Sequence, residues 1–294
     1  MYTIKIGGGL GNQIFYYAFY KKLKNLGYEV YVDISEMELY NLHNGYELEQ
    51  VFRLDILKIP QEQKIKELTL IERKFLNRIY IKLKKIIYIL SKRVYIEKWG
   101  EISFPKHNKK NKNIYCLGAF QSEKYFYDIR DIIRQELEFP IIKDELNKKI
   151  EKEIRNSNSV SIHIRRGDYL NDKGLGGLAP LKYYQNAIEY IKSKINNPCF
   201  FIFSNDIEWC KQNLDLENCY YIDWNKGKES YRDMQLMSLC KHNIIPNSSF
   251  SWWGAWLNNN PDKIVIAPEK WFNDCVKMDY SNVVPETWIK IKNY

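Results

Sequence analysis

Apolar residues recur along this chain in two rhythms, one of period two and one close to four. At the amino end Tyr2, Ile4 and Ile6 alternate with Thr3 and Lys5, as in a strand. They run into Gly7-Gly8-Gly9-Leu10-Gly11-Asn12-Gln13. A helical spacing through Phe15, Phe19 and Leu23 follows and stops at Gly27, after which Val30, Val32 and Ile34 predict a second strand ending near Asp33. Strand, glycine turn, helix and strand make the opening of a βαβ unit. From Pro60 to Ser91, apolar residues from Ile65 to Leu90 interleave with Lys and Arg, which predicts helix. Pro105 to Asn113 reads as a polar loop, Ile114 to Leu117 as a strand, and the stretch through Phe126, Ile129, Ile133 and Leu137 as a helix ended by Pro140.

Lys143 to Asn158 is charged and rich in Asn, and the domain linker is placed there, giving domains 1–150 and 151–294. Beyond it, strands are predicted at Val160–Ile164, Cys199–Phe203, Tyr220–Ile222, Asn243–Ile245 and Ile264–Ala267. Helices fall between them at Leu181–Ile195, Tyr231–Cys240 and Trp252–Asn258. Alternation of this kind predicts an α/β fold with parallel sheets, here two Rossmann-like domains facing each other across a cleft. In such sheets ligands bind outside the carboxyl ends of the strands. Three polar clusters follow directly after predicted strands: His163-Ile164-Arg165-Arg166-Gly167-Asp168, Ser204-Asn205-Asp206, and Asn247-Ser248-Ser249-Phe250-Ser251. Parallel strands put all three on one edge.

Composition narrows the classes. The balance of 45% hydrophobic and 28% charged residues excludes a disordered chain. The net charge of +9 favours anionic partners. No RNP, zinc-finger or basic-zipper pattern accompanies it, so nucleic acid is not the expected partner. The basic stretch from Pro60 to Arg93 fits either a packed helix with a solvated face or a helix lying peripherally on the inner membrane. Six Cys without a C-x-x-C pair read as reduced thiols. The first strand begins at once, leaving no room for a signal peptide, and no apolar run approaches the ~20 residues of a span, so a cytoplasmic location is expected. There is no D-x-D, no H-E-x-x-H and no Cys/His cluster, so no metal or other cofactor is expected.

Each cluster carries a chemical and a plain reading. In the glycine turn, Asn12 stands where a dinucleotide fingerprint has its last glycine, although Asp33 occupies the ribose-binding place. The turn either brings backbone and a helix N-terminus to an anion or serves packing alone. In His163 to Asp168, alternation puts His163 and Arg165 on one face and Arg166 on the other. A guanidinium donates two parallel hydrogen bonds and stays charged, which suits a diphosphate, and it stabilises a leaving diphosphate as charge develops. The plain reading is an Arg–Asp network at a strand end. Asn247 to Ser251 is either an anion site at a helix terminus or simple N-capping. Asp206 either accepts from a ligand or caps the helix that starts at Ile207. The Trp252-Trp253-Gly254-Ala255-Trp256 cluster fits core better than a sugar platform.

Taken together, these residues resemble glycosyltransferase family 11, the α-1,2-fucosyltransferases. Its Gly-Gly-Leu-Gly-Asn-Gln-(Ile/Met)-Phe opening matches Gly8 to Phe15, and its His-x-Arg-Arg-Gly-Asp-Tyr element matches His163 to Tyr169. Gly-x-Phe-Gln followed by Tyr-Phe matches Gly118 to Phe126, and the carboxyl-terminal signature matches Asp233 through Trp253. The resemblance implies a GT-B-like arrangement, with an amino-terminal domain on the acceptor side and a carboxyl-terminal domain that holds GDP-fucose. It implies inverting, metal-independent transfer of L-fucose from GDP-β-L-fucose to the 2-hydroxyl of a terminal galactose in a glycan acceptor of the cell surface. Donor contacts carried over are Gly9, Gly11, Asn12, Gln13, His163, Arg165, Arg166, Asp206, Asn247, Ser248, Ser249, Phe250 and Ser251. The catalytic candidates are Arg165, Asp168 and His163. Asp168 either takes the acceptor proton or holds Arg165 or Arg166 in place. Rival readings are another linkage or acceptor, a non-catalytic nucleotide-sugar-binding protein, and a dinucleotide oxidoreductase.

Overall fold

The computed structural model describes residues 1–38, 44–64, 93–105 and 113–293, without the side chains of Glu38 and Asp168. The chain divides into two compact units, Met1–Glu138 and Phe139–Tyr294.

Unit 1 contains β1 (Tyr2–Lys5), α1 (Leu10–Asn25), β2 (Val30–Asp33), α2 (Ser35–Glu38), α3 (Leu48–Phe52), β3 (Val94–Ile96), β4 (Ile114–Leu117) and α4 (Arg130–Glu136). Its sheet runs β2-β1-β4-β3 with every pair parallel, and Ile4 lies opposite Val32 and Cys116. Both faces are covered: Tyr2, Ile4, Val32 and Cys116 are buried on one, Thr3 and Tyr115 on the other. From α1 the Phe19 ring lies flat on Phe120, centroids 3.9 Å apart, with Tyr125 edge-on to both. No side chain caps the start of α1, and Lys22 and Lys24 occupy its last turn, where the helix dipole favours cations. The helix expected through Phe126 begins as two 3-10 turns, Glu123–Tyr125 and Tyr127–Ile129, before α4. Of the helical stretch expected over 60–91, Gln61–Gln63 forms a 3-10 turn and residues 65–92 lie outside the described residues, as do 106–112 of the expected polar loop.

Unit 2 contains α5 (Glu145–Asn156), β5 (Asn158–Ile164), α6 (Leu181–Lys194), β6 (Pro198–Ser204), α7 (Ile207–Asn213), β7 (Cys219–Ile222), α8 (Tyr231–Leu239), β8 (His242–Ile244), α9 (Ser249–Leu257), β9 (Val265–Pro268) and β10 (Ile289–Ile291). Its all-parallel sheet runs β10-β9-β8-β5-β6-β7. Counted from β5, this is the 3-2-1-4-5-6 order of a doubly wound nucleotide-binding sheet. Alternate residues of β6 feed two cores. Phe200 and Ile202 pack with Tyr183, Tyr184 and Ile191 on one face; Phe201 and Phe203 pack with Ile154, Leu236 and Met237 on the other. Trp252 and Trp253 are fully buried, as the core reading expects.

Two sequence expectations are corrected. The segment 143–158, read as a linker, is largely α5: Asp144 caps it by accepting the Asn147 N–H at 2.8 Å, and Ile150 and Ile154 form a narrow apolar stripe buried in the second core. The division between units accordingly falls at 138/139, whereas a boundary at 150/151 would cut this helix. The carbonyl of Pro140 is already fixed within unit 2, accepting from Arg232 Nη1 and Gln235 Nε2. The edge strands β3 and β10, three residues each, were not expected. No helix among the described residues is long and apolar enough to cross a membrane.

Candidate functional site

In unit 2 the chain leaves β5 toward β6 on one side and leaves β8 toward β9 on the other, so the crevice between the carboxyl ends of β5 and β8 is the topological switch point. The two segments singled out in the sequence flank it: His163 to Tyr169 follows β5, and Asn247 to Ser251 follows β8. The hydroxyl of Tyr169 donates to the Asn247 carbonyl at 3.4 Å and ties one to the other.

His163 is buried, on the face opposite Ile162 and Ile164, with its ring 5.9 Å from that of Phe250. Burial, reinforced by the Arg165 charge, pulls its pKa down to about 3. The imidazole is therefore neutral near pH 7 and is a hydrogen-bonding group there, not a proton acceptor. Its Nδ1 has no partner among the described residues. Arg165 is half-buried, its guanidinium 5.5 Å from the centre of the Tyr169 ring.

Arg166 goes the other way, as alternation predicts. Its Nε donates to Asp206 Oδ2 at 3.0 Å, its guanidinium lies 4.1 Å from the Trp209 ring centre, and its backbone N–H donates to Asn205 Oδ1. The backbone must come close to Asn205 here, because a Cβ on Gly167 would collide with the Asn205 amide. Asp206 caps α7 through Trp209 N–H, as its plain reading expects, and also pairs with Arg166. Asp168 sits in the 3-10 turn Gly167–Asn171, and its side chain lies outside the described residues.

The turn after β8 is held rigidly. The Asn247 Nδ2 donates to the carbonyls of Leu175 and Trp271, each at 3.1 Å, so its amide serves the turn. Ser248 and Ser251 are buried, Ser249 and Phe250 half-buried. No side chain caps α9, so the first-turn N–H groups are left for another acceptor, the arrangement that suits an anion.

Unit 1 has a matching edge. Gly8 is in the left-handed region (φ +73°), and a Cβ there would collide with the Asn12 amide, so the turn packs directly on α1. Asn12 is half-buried, and its Oδ1 accepts from Gln121 Nε2 at 2.8 Å. Gly9 precedes the first turn of α1 and Gly11 is buried within it. Gln13, expected at the donor, is committed elsewhere: it is fully buried, donates to the carbonyls of Gly8 and Gly45, and accepts the Glu47 N–H at 2.9 Å. Asp33, in the place of a ribose-binding acid, is buried, accepts the Ser35 N–H, and faces Tyr115. That disposition speaks against the dinucleotide reading. Sequence reasoning missed Gln121 and Glu97 as partners of this edge; the Gly-x-Phe-Gln likeness was the available signal.

The profile of glycosyl transferase family 11 matches residues 1–292. The chain belongs to this family. It is 36% identical to an alpha-1,2-colitosyltransferase of Escherichia coli over 297 residues, covering 98% of each chain. It is 34% identical to the O-antigen biosynthesis glycosyltransferase WbnK of Escherichia coli over 311 residues, covering 97% of this chain and 99% of that one. Among solved structures it is similar to a point mutant of Arabidopsis thaliana FUT1 in complex with GDP, with a TM-score of 0.46 and 12% identity, covering 92% of this chain and 71% of that one.

Proposed function

We propose that this glycosyltransferase moves L-fucose from GDP-β-L-fucose to the 2-hydroxyl of a terminal galactose in a surface-glycan acceptor, with inversion and without a metal. The observation that carries the reading is the convergence of Arg165 and the uncapped start of α9 on the switch point of a nucleotide-binding sheet. Anionic oxygens suit both groups. As the glycosidic bond breaks, charge grows on the diphosphate, and a fixed guanidinium stabilises that state more than the ground state. His163, Ser248, Ser249, Phe250 and Ser251 complete the proposed donor contacts, with Gly9, Gly11 and Asn12 from unit 1. Arg166 and Asp206 act as a braced pair that positions the strand end. Transfer is a single displacement through an oxocarbenium-like state, and Asp168 either accepts the acceptor proton or orients an arginine.

Identity to the colitosyltransferase supports a second reading of the donor. Colitose is fucose without its 3-hydroxyl, so the two readings differ by one hydrogen-bonding group on the sugar. The test is an assay in EDTA with GDP-fucose and GDP-colitose, each offered a panel of β-galactosides, with product linkage read by NMR. Formation of an α-1,2-fucosyl galactoside supports the first reading; exclusive use of GDP-colitose replaces it with the second. No transfer from either donor sinks both. Arg165→Ala should lower kcat by about 10²–10³-fold with an unchanged melting temperature; near-normal turnover would remove Arg165 from the diphosphate.

A further inference from the structure

We propose that Gln121 is a positioning residue that fixes the Asn12 carboxamide as a hydrogen-bond donor toward the nucleotide sugar, with Glu97 holding Gln121 in place. The inference rests on the reading of Asn12 as a donor contact and adds what sets its polarity. A carboxamide has one accepting and one donating end. The Gln121 Nε2 donates to Asn12 Oδ1 at 2.8 Å, which occupies the accepting end. The donating end, Nδ2, lies over the Gly8 backbone at the start of α1 and has no hydrogen-bond partner among the described residues. The phosphates and sugar of a nucleotide sugar present mainly accepting oxygens, so a donor is the useful end to display.

Gln121 is unusually well anchored for a side chain with three torsions. It follows β4, the neighbour of β1 in the sheet, so its bond to Asn12 spans the carboxyl ends of the two central strands. The preceding residue, Phe120, is fully buried with φ +51°, a backbone state costly for a bulky residue. Glu97 enforces it: Oε2 accepts the N–H groups of both Ala119 (2.6 Å) and Phe120 (2.9 Å). The Phe120 ring in turn lies flat on Phe19 of α1, the helix that carries Asn12. Carboxylate, turn, glutamine and asparagine thus form one chain of contacts that ends at a fixed N–H₂ group.

A glutamate at position 121 can only accept, so Gln121→Glu should turn the Asn12 amide round and display Oδ1 instead. Gln121→Met removes the latch without dictating the opposite orientation. Binding of GDP-fucose and of GDP would be measured by titration calorimetry on the full chain, with the melting temperature as the check on folding. The expected result is GDP-fucose binding weakened about threefold by Gln121→Met, about tenfold by Asn12→Ala, and roughly 100-fold by Gln121→Glu, at unchanged melting temperature. In the Asn12→Ala background the two substitutions at 121 should fall within about threefold of each other, which separates amide reversal from simple charge repulsion. If Gln121→Glu stays equally harmful in that background, or matches Gln121→Met with Asn12 present, the positioning role is overturned while the donor reading stands. If Asn12→Ala binds normally, or the wild-type chain binds neither probe, the donor reading of Asn12 fails and the inference goes with it.

Discussion

Two ionisable side chains of unit 2, the buried His163 and the half-buried Asp233, shape its response to pH in opposite senses. His163 titrates near 3 in the fold against 6.5 ordinarily. The unfolded chain therefore binds a proton that the fold refuses between those values, and stability falls as pH drops below 6.5. Asp233 is raised from 3.8 to about 7, chiefly by burial, with Asn225 donating to it and Asp223 repelling it. The fold there holds a proton that the unfolded chain releases, so stability falls as pH rises from about 4 toward 7. Each contributes a slope of about 1.4 kcal/mol per pH unit, and between about pH 4 and 6.5 the two cancel. His163→Gln should unmask Asp233: in denaturant titrations the stability difference between wild type and variant should widen with pH over that range and level off above it. Parallel curves would contradict the assignment to His163. The sequence made the His-x-Arg-Arg string conspicuous, but not the depth of His163 in the core. Nor did it show that Arg166 turns away to Asp206, since a strand's alternation gives a side chain's face and not its partner.

The elements were legible where their pattern was strong. β1, α1, β2, β4, strands β5 to β9 and helices α6, α8 and α9 came from periodicity, because strands of a covered parallel sheet show as apolar runs between helical segments. α5 was missed because only Asn147, Ile150 and Ile154 face inward among Lys, Glu and Asn, which reads as solvated linker. β3 and β10 were missed because three residues carry no period. The ends of helices were less legible still. α9 finishes at Leu257, and Lys263, just beyond it in the following turn, closes it by donating from Nζ to the carbonyls of Ala255 (2.7 Å), Trp256 (3.3 Å) and Asn258 (2.7 Å). A cation placed on the carbonyl end also favours the dipole whose other end lies at the proposed anion site. Lys263→Met should lower stability by about 2 kcal/mol, read as a shift of the denaturation midpoint without a change in slope. An unshifted midpoint would show that water replaces the ammonium without loss.

Across the described residues both sheets are all-parallel, and in unit 2 the strand order sets which polar clusters flank the switch point. Sequence alone placed the polar clusters after strands. It could not rank them, because the ranking depends on which strands are neighbours: β5 and β8 are adjacent although their registered residues Ile162 and Ile244 lie 82 positions apart in the chain. That adjacency puts the segments after β5 and β8 at the switch point, whereas Ser204 to Asp206 follow β6, where Asp206 caps α7 and pairs with Arg166. Donor binding at the switch point of unit 2 is tested most directly by the crystal structure of the chain with GDP. The diphosphate should lie on the Arg165 guanidinium and the first-turn N–H groups of α9. A nucleotide bound elsewhere, with Arg165 and Ser249 to Ser251 making only intramolecular contacts, would contradict it.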